Sequence, residues 1–119
     1  MDKRILVVDD SNSIRVMVKM IYKRAGHMVL EACDGNEAFT KLDQEKVDLV
    51  LLDHHMPGID GLDVLKKIRS SDDYKTLPVY MITANDSEEL KEEAAEANVN
   101  GFFVKPLDGK KLLEIIDSI

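Results

Sequence analysis

Polar side chains able to do chemistry follow four short apolar runs of the sequence: Asp9 and Asp10 after Ile5–Val8, Asp53 after Leu49–Leu52, Thr83 after Val79–Ile82, and Lys105 after Phe102–Val104. If these runs are parallel strands, their carboxyl ends meet at one edge of a sheet, where ligand sites lie. Three carboxylates gathered there resist ionising together unless a positive charge joins them. The pattern therefore predicts a cation beside an acid cluster.

The donor types indicate which cation and which reaction. Oxygen ligands without a thiolate favour Mg²⁺ over zinc. Lys105 adds a fixed positive charge, and the Thr83 hydroxyl can donate a hydrogen bond. Metal, ammonium, hydroxyl and one carboxylate placed as a nucleophile are the components of phosphoryl transfer to an aspartate. This interpretation makes Asp53 the phosphoryl acceptor.

The elements that must position these residues alternate along the chain. The four apolar runs are rich in β-branched or aromatic residues, which is typical of strands buried on both faces. A weaker run, Met28–Cys33, contains Glu31, so we expect it at a sheet edge. Strand and helix patterns alternate five times, which predicts an α/β, doubly wound parallel sheet, because parallel neighbours need helical crossovers.

Helical patterns fill the intervals between the runs. Apolar residues recur at helical spacing in three segments: Ile14, Met17, Val18 and Ile21; Leu62, Leu65 and Ile68; and Leu112, Ile115, Ile116 and Ile119. An N-cap residue stands three positions before an acid at Asp34 with Glu37, Asp60 with Asp63, and Asp86 with Glu89. Gly26 lies where the first helix should end. The helix after Asp86 carries five glutamates and only Leu90 and small alanines for a core face, so we expect it to be the most loosely held.

Composition limits the class of protein. The 119 residues suit one domain spanning 1–119, and a net charge of −7 argues against a nucleic-acid binder. No apolar run approaches the ~20 residues that cross a bilayer, and the N-terminal run is too short for a secretory signal. We expect a cytoplasmic protein that does not insert into membranes. The single cysteine, Cys33, cannot form an internal disulfide.

Four motifs together resemble one known family. ILVVDDS, LLDHHMPGIDG, MITA and GFFVKP follow the order and spacing of the receiver domain of two-component response regulators, of the stand-alone CheY type. The resemblance covers essentially the whole chain. It implies a flavodoxin/CheY-like fold with five strands in the order 2-1-3-4-5.

The resemblance also implies a function and a set of roles. Asp53 would accept a phosphoryl group from a sensor histidine kinase. Asp9, Asp10, Asp53 and the backbone carbonyl of His55 would hold Mg²⁺, with Asp9 acting mainly through metal-bound water. Thr83 and Lys105 would contact the phosphoryl oxygens, Thr83 and Phe102 would form the switch, and the Lys105–Pro106 bond would be cis. A downstream target would read the face formed by the fourth helix, fifth strand and fifth helix.

Two residues depart from the family pattern. Position 55 is usually Asn and the position two after Thr83 is usually Glu, whereas this chain has His55 and Asn85. Both would overlook the path of a water that attacks the phosphoryl group, so we expect them to tune the lifetime of the phosphorylated state. Because imidazole changes charge near neutral pH, His55 would make this lifetime pH-dependent.

Several alternatives remain open from the sequence. A phosphorelay intermediate and a receiver fragment of a larger regulator are alternatives to chemotaxis-type signalling. A flavin mononucleotide binder would want a glycine-rich loop where this chain has DDSNS, and a phosphatase or nuclease acting on an external substrate would want a lid. A degenerate receiver would lack part of the acid, threonine and lysine set. We expect a monomeric signalling protein rather than an enzyme, with a kinase, a target and a phosphatase as partners.

Overall fold

The computed structural model describes residues 2–84 and 87–119. Strands and helices alternate in the order β1 Arg4–Val8, α1 Asn12–Arg24, β2 Met28–Ala32, α2 Gly35–Gln44, β3 Leu49–Asp53, α3 Gly61–Ser70, β4 Val79–Thr83, α4 Glu88–Glu96, β5 Gly101–Val104 and α5 Gly109–Glu114. Two 3₁₀ segments, Asp72–Tyr74 and Ile115–Ser118, follow α3 and α5. No helix in the described ranges is long and apolar enough to span a membrane.

The five strands form one parallel sheet in the order β2-β1-β3-β4-β5, which confirms the predicted topology. The weaker strand, β2, lies at an edge as expected. The winding direction reverses between β1 and β3, so the carboxyl ends of these two strands lie at the switch point.

Alternation along the buried strands separates the core into two layers. In β1, Leu6 and Val8 pack toward α2, α3 and α4, while Ile5 and Val7 pack toward α1 and α5. Every residue of β3 is buried, because both faces of this central strand are covered by helices. A strand packed on both sides gives its last residue, Asp53, a fixed position.

The predicted helix starts are confirmed at two of three places. Asp34 and Asp60 cap α2 and α3 by accepting hydrogen bonds from the backbone N–H groups of Glu37 and Asp63. For α4 the cap is Ser87, whose hydroxyl accepts from Leu90 N–H, so the assignment of Asp86 was wrong. Asp86 itself lies outside the described residues.

The helix ends also differ in part from expectation. Gly26, with φ of +91°, follows the C-cap of α1 as predicted. The last helix is shorter than its apolar stripe suggested, because α5 ends at Glu114 and continues as a 3₁₀ segment.

One arginine joins several chain segments at the amino-end edge of the sheet. The Arg69 guanidinium donates hydrogen bonds to the carbonyls of Tyr74 (3.1 Å), Leu77 (2.7 Å) and Asn98 (3.0 Å), and to the side-chain oxygen of Asn100 (3.0 Å). Burial lowers the pKa of Arg69 below its ordinary value. The carboxyl-terminal end of α4 is thereby fixed to α3.

Candidate functional site: an acidic cluster beside a lysine

Three carboxylates converge at the switch point. Carboxylate oxygens of Asp9, Asp10 and Asp53 lie within 4.8 Å of one another. Adjacent parallel pairing, with Val8 opposite Leu52, brings the ends of β1 and β3 together and so places these residues side by side. Asp9 and Asp53 are buried and Asp10 is exposed. The structure thus assembles the acid cluster at the predicted edge.

Lys105 lies against two of these carboxylates. Its Nζ atom is 3.3 Å from Asp9 Oδ2 and 3.4 Å from Asp53 Oδ1, to which it donates a hydrogen bond. Burial opposes the charge on the ammonium, but the negative charges of Asp53 and Asp9 prevail and raise the pKa of Lys105. The ammonium therefore remains charged at neutral pH. The Lys105–Pro106 peptide bond after it is cis, as the resemblance implied.

In this environment Asp53 ionises at a higher pH than an ordinary aspartate does. Burial, followed by the nearby negative charge of Asp9, raises the pKa of Asp53 to about 6, although Lys105 acts in the opposite direction. One ammonium is not enough positive charge for three carboxylates. The electrostatics of the cluster favour an additional cation.

The two carboxylate oxygens of Asp9 differ in their hydrogen bonding, and this difference also favours an additional cation. Its Oδ1 accepts from the backbone N–H of Ser11 at 2.9 Å. Its Oδ2 is buried and has no hydrogen-bond partner among the described residues; the Lys105 ammonium, at 3.3 Å, contacts it without hydrogen-bond geometry. A buried carboxylate oxygen that accepts no hydrogen bond and shares one ammonium with Asp53 is stabilised by a further cation. An oxygen-preferring divalent ion fits this donor set.

Thr83 and Phe102 lie on neighbouring strands next to the cluster. Thr83 ends β4, is 3% exposed, and its carbonyl accepts a hydrogen bond from Lys105 N–H at 2.9 Å. Phe102 pairs with Met81, two residues before Thr83, so the two side chains leave the sheet on the same face. Phe102 is partly buried and packs on the core layer below α4. The predicted switch pair is thus brought onto one face of the sheet.

The loop between β3 and α3 surrounds Asp53. His54 donates its backbone N–H to Ile82 O (3.0 Å), and His54 O accepts from Gly61 N–H (2.8 Å). Gly58 takes a φ of +81° in the turn, which glycine adopts without strain. His55 is exposed in this loop, so its side chain is accessible to water. Asn85 lies outside the described residues.

Sequence reasoning missed two residues that shape the site. Gly61, the first residue of α3, packs directly on Asp53, since a Cβ atom there would lie 2.2 Å from the Asp53 carbonyl oxygen and 2.8 Å from His54 Cα. Arg15 of α1 donates to the Asp9 carbonyl. The glycine after the Asp60 cap was a usable signal, because a side chain is normally tolerated at that helical position. Arg15 had no comparable signal in the sequence.

Comparison with known proteins decides the family. The sequence model of the response regulator receiver domain family matches residues 5–117 of this chain. The chain belongs to the response regulator receiver domain family. A receiver domain of this kind is a signalling module.

The similar proteins point to the CheY-like type of receiver. The chain is 43% identical to chemotaxis protein CheY-3 of Vibrio cholerae, over 98% of this chain and 90% of that protein. It is 38% identical to chemotaxis protein CheY of Pseudomonas aeruginosa, over 98% of this chain and 94% of that protein. Among solved structures, Vibrio cholerae CheY4 superposes with a TM-score of 0.93 at 34% identity, covering 100% of this receiver and 99% of that chain.

Proposed function

We propose that this receiver is a phosphorylation-switched signalling protein of chemotaxis type, in which Asp53 accepts a phosphoryl group from a sensor histidine kinase. The observation that carries the proposal is the grouping of Asp9, Asp10 and Asp53 within 4.8 Å, with Lys105 between two of them. Chemotaxis relatives that match over nearly their whole length favour this output over a phosphorelay step.

The residues present can carry out the transfer as follows. An Asp53 carboxylate oxygen attacks phosphorus of the donor phosphohistidine, the new P–O bond forms, and the P–N bond breaks with the electron pair leaving on the imidazole. β3 holds Asp53 in one orientation, which reduces the entropy lost in reaching an in-line geometry. The Lys105 ammonium, already 3.4 Å from Asp53, is placed to stabilise negative charge on the phosphoryl oxygens. Thr83 is the proposed hydroxyl partner of those oxygens.

Asp9, Asp10, Asp53 and the backbone carbonyl of His55 are the proposed ligands of Mg²⁺. When bound, this ion would neutralise charge on the phosphoryl oxygens. Burial of Asp9 and Asp53 supports the assignment, as does the Asp9 Oδ2 atom, which accepts no hydrogen bond from the described residues. Catalysis by the receiver is then limited to its own phosphorylation and dephosphorylation.

The proposed switch links the site to a partner surface. Phosphorylation adds about −1.5 to −2 charges beside an acid cluster, so Lys105 and Thr83 are expected to close on the new group. Movement of Thr83 toward it would free space for Phe102, which lies on the same face of the sheet. The surface formed by α4, β5 and α5 would change shape and so change its affinity for a downstream target.

The lifetime of the phosphorylated state is the next property that we assign to named residues. His55 and Asn85 are the residues proposed to set the rate at which water removes the phosphoryl group. A downstream target, a phosphatase, a monomeric state and a cytoplasmic location stay predictions from the sequence.

Intact-protein mass spectrometry after incubation with acetyl phosphate tests the acceptor. With Mg²⁺ the wild type is expected to gain one phosphoryl group, and Asp53→Asn and Lys105→Ala are expected to gain none or far less. Asp117→Asn removes an exposed carboxylate outside the cluster and serves as the matched control. Equal modification of wild type and Asp53→Asn would refute the assignment, and equal modification with EDTA would refute the role of the cation.

A further inference from the structure

Asp10 depends on its backbone for its position. It is exposed, and its carboxylate makes no hydrogen bond or ion pair within the described part of the chain. The peptide groups on both sides of it are nevertheless held. The carbonyl of Asp9 accepts from Arg15 Nη1, and the amide of Ser11 donates to Asp9 Oδ1 at 2.9 Å. These two hydrogen bonds hold the backbone that carries the Asp10 side chain.

Arg15 joins the Asp9–Asp10 turn to two other elements. Its side chain is only 15% exposed. Besides the Asp9 carbonyl, its guanidinium lies 3.4 Å from Glu31 Oε1 and donates to Asn12 Oδ1 at 3.3 Å. One planar group thus connects α1, the end of β1 and strand β2. Several donors fixed in one plane allow arginine to do this, whereas a lysine ammonium cannot span the same acceptors.

The ion pairs of Glu31 with Arg15 and Lys19 account for a carboxylate within the otherwise apolar strand β2. It pairs in register with Val7 of β1, and its two oxygens lie 3.4 Å from Arg15 Nε and 3.6 Å from Lys19 Nζ. The carboxylate therefore restrains the Arg15 side chain from the sheet side. Lys19 shares Glu31 but has no contact with Asp9, which makes it a matched control for Arg15.

We propose that Arg15, restrained by Glu31, is a positioning residue that fixes the Asp9–Asp10 turn and thereby sets the affinity of the acid cluster for a divalent cation. The part that concerns the cation rests on the proposed function. Replacing a residue that hydrogen-bonds to a metal ligand and orients it commonly lowers metal affinity by 10- to 100-fold. Because Asp10 is exposed and otherwise unrestrained, loss of Arg15 leaves its carboxylate to be ordered at the moment of binding.

Four variants separate positioning from charge: Arg15→Ala, Arg15→Lys, Glu31→Ala and Lys19→Ala. Calorimetric titration with Mg²⁺ is expected to show binding about tenfold weaker for Arg15→Ala, with smaller losses for Arg15→Lys and Glu31→Ala. Lys19→Ala removes an equal charge and is expected to bind within twofold of wild type.

A measurement on the metal-free protein tests the turn independently. Amide exchange of Ser11 is expected to accelerate in Arg15→Ala, while the Asn100 amide, bonded to Val79 O at the other end of the sheet, keeps its protection. Unchanged Ser11 exchange, or an equal acceleration at Asn100, overturns the positioning role. So does a Lys19→Ala variant that loses as much Mg²⁺ affinity as Arg15→Ala. If wild type bound no Mg²⁺, the proposed function would lose its cation, and the exchange result would still decide the role of Arg15 in the turn.

Discussion

Replacing Asp53 by asparagine is expected to stabilise the metal-free protein at neutral pH while removing its phosphoryl acceptor. The carboxylate is 3% exposed and lies beside Asp9, so the folded protein holds its charged form in an unfavourable environment. Asparagine has nearly the same shape without the charge. The residue proposed as the phosphoryl acceptor thus lowers the free energy of unfolding.

The size of the effect follows from the pKa of Asp53, which burial and then Asp9 raise from 3.8 to about 6. A difference of this size is worth at most about 3 kcal/mol at pH 7.5, at ~1.4 kcal/mol per tenfold. The asparagine amide is itself polar and buried, and its imperfect hydrogen bonding reduces the expected gain to about 1–2 kcal/mol. For a domain of this size, this corresponds to a melting temperature higher by about 4–8 °C.

The sign of the pH dependence is fixed by the direction of the shift. Because the folded pKa lies above the unfolded value, the contribution of Asp53 to stability is complete below about pH 4 and is lost as the pH rises through about 6. The advantage of Asp53→Asn should therefore be about a third of its full value at pH 4.5 and complete at pH 7.5.

Calorimetric melting in EDTA at both pH values measures this difference, with Asp117→Asn as a control that removes an exposed carboxylate elsewhere. Addition of Mg²⁺ is expected to raise the melting temperature of wild type more than that of Asp53→Asn. The reasoning is refuted if Asp53→Asn melts no higher than wild type at pH 7.5, or if its advantage is the same at pH 4.5.

Three further expectations concern the residues around the acceptor. Gly61→Ala places a Cβ atom against the Asp53 carbonyl, so it should cost about 1–3 kcal/mol of stability and slow phosphorylation. The control variant Gly101→Ala places its Cβ atom against the Tyr80 ring, so it should cost stability without slowing phosphorylation. Equal phosphorylation rates for the two variants would contradict this account. Thr83→Ala should still accept a phosphoryl group but fail to convert it into altered partner affinity, and a titration showing the wild-type change in affinity would reject the coupling. We expect phosphoprotein decay to differ between pH 6 and pH 8 in wild type and not in His55→Ala; identical pH profiles of the two proteins would remove His55 from the lifetime mechanism.

The strands and the site could be predicted from the sequence for one physical reason. A strand covered on both faces must be apolar along its whole length, so a polar residue such as Asp53 or Thr83 identifies where the strand leaves the core. Parallel order then brings those ends together without any knowledge of side-chain contacts. This reasoning located all three carboxylates and Lys105.

The features that could not be predicted depend on tertiary contacts. Ser87 and Asp86 are both suitable N-caps, and the sequence cannot rank neighbours of equal propensity. Tyr22 was absent from the predicted stripe of α1, yet it is fully buried because its hydroxyl donates to Leu112 O at 2.7 Å. From the sequence alone, Arg15 is expected to be a solvent-facing cation; only the structure shows its hydrogen bond to the Asp9 carbonyl.

The hydrogen bonds of Arg69 have a consequence for α4, which buries only Leu90 and Ala94 within its own span. One end of this helix is anchored through the carbonyl of Asn98, whereas the other end faces the site. If phosphorylation moves the end of α4 nearer the site while the Arg69 hydrogen bond holds, the helix tilts about its anchored end and the displacement grows with distance from that end. Nine residues at 1.5 Å each make an arm of about 13 Å, so a tilt of about 10° would carry the free end roughly 2 Å while the anchored end stayed in place.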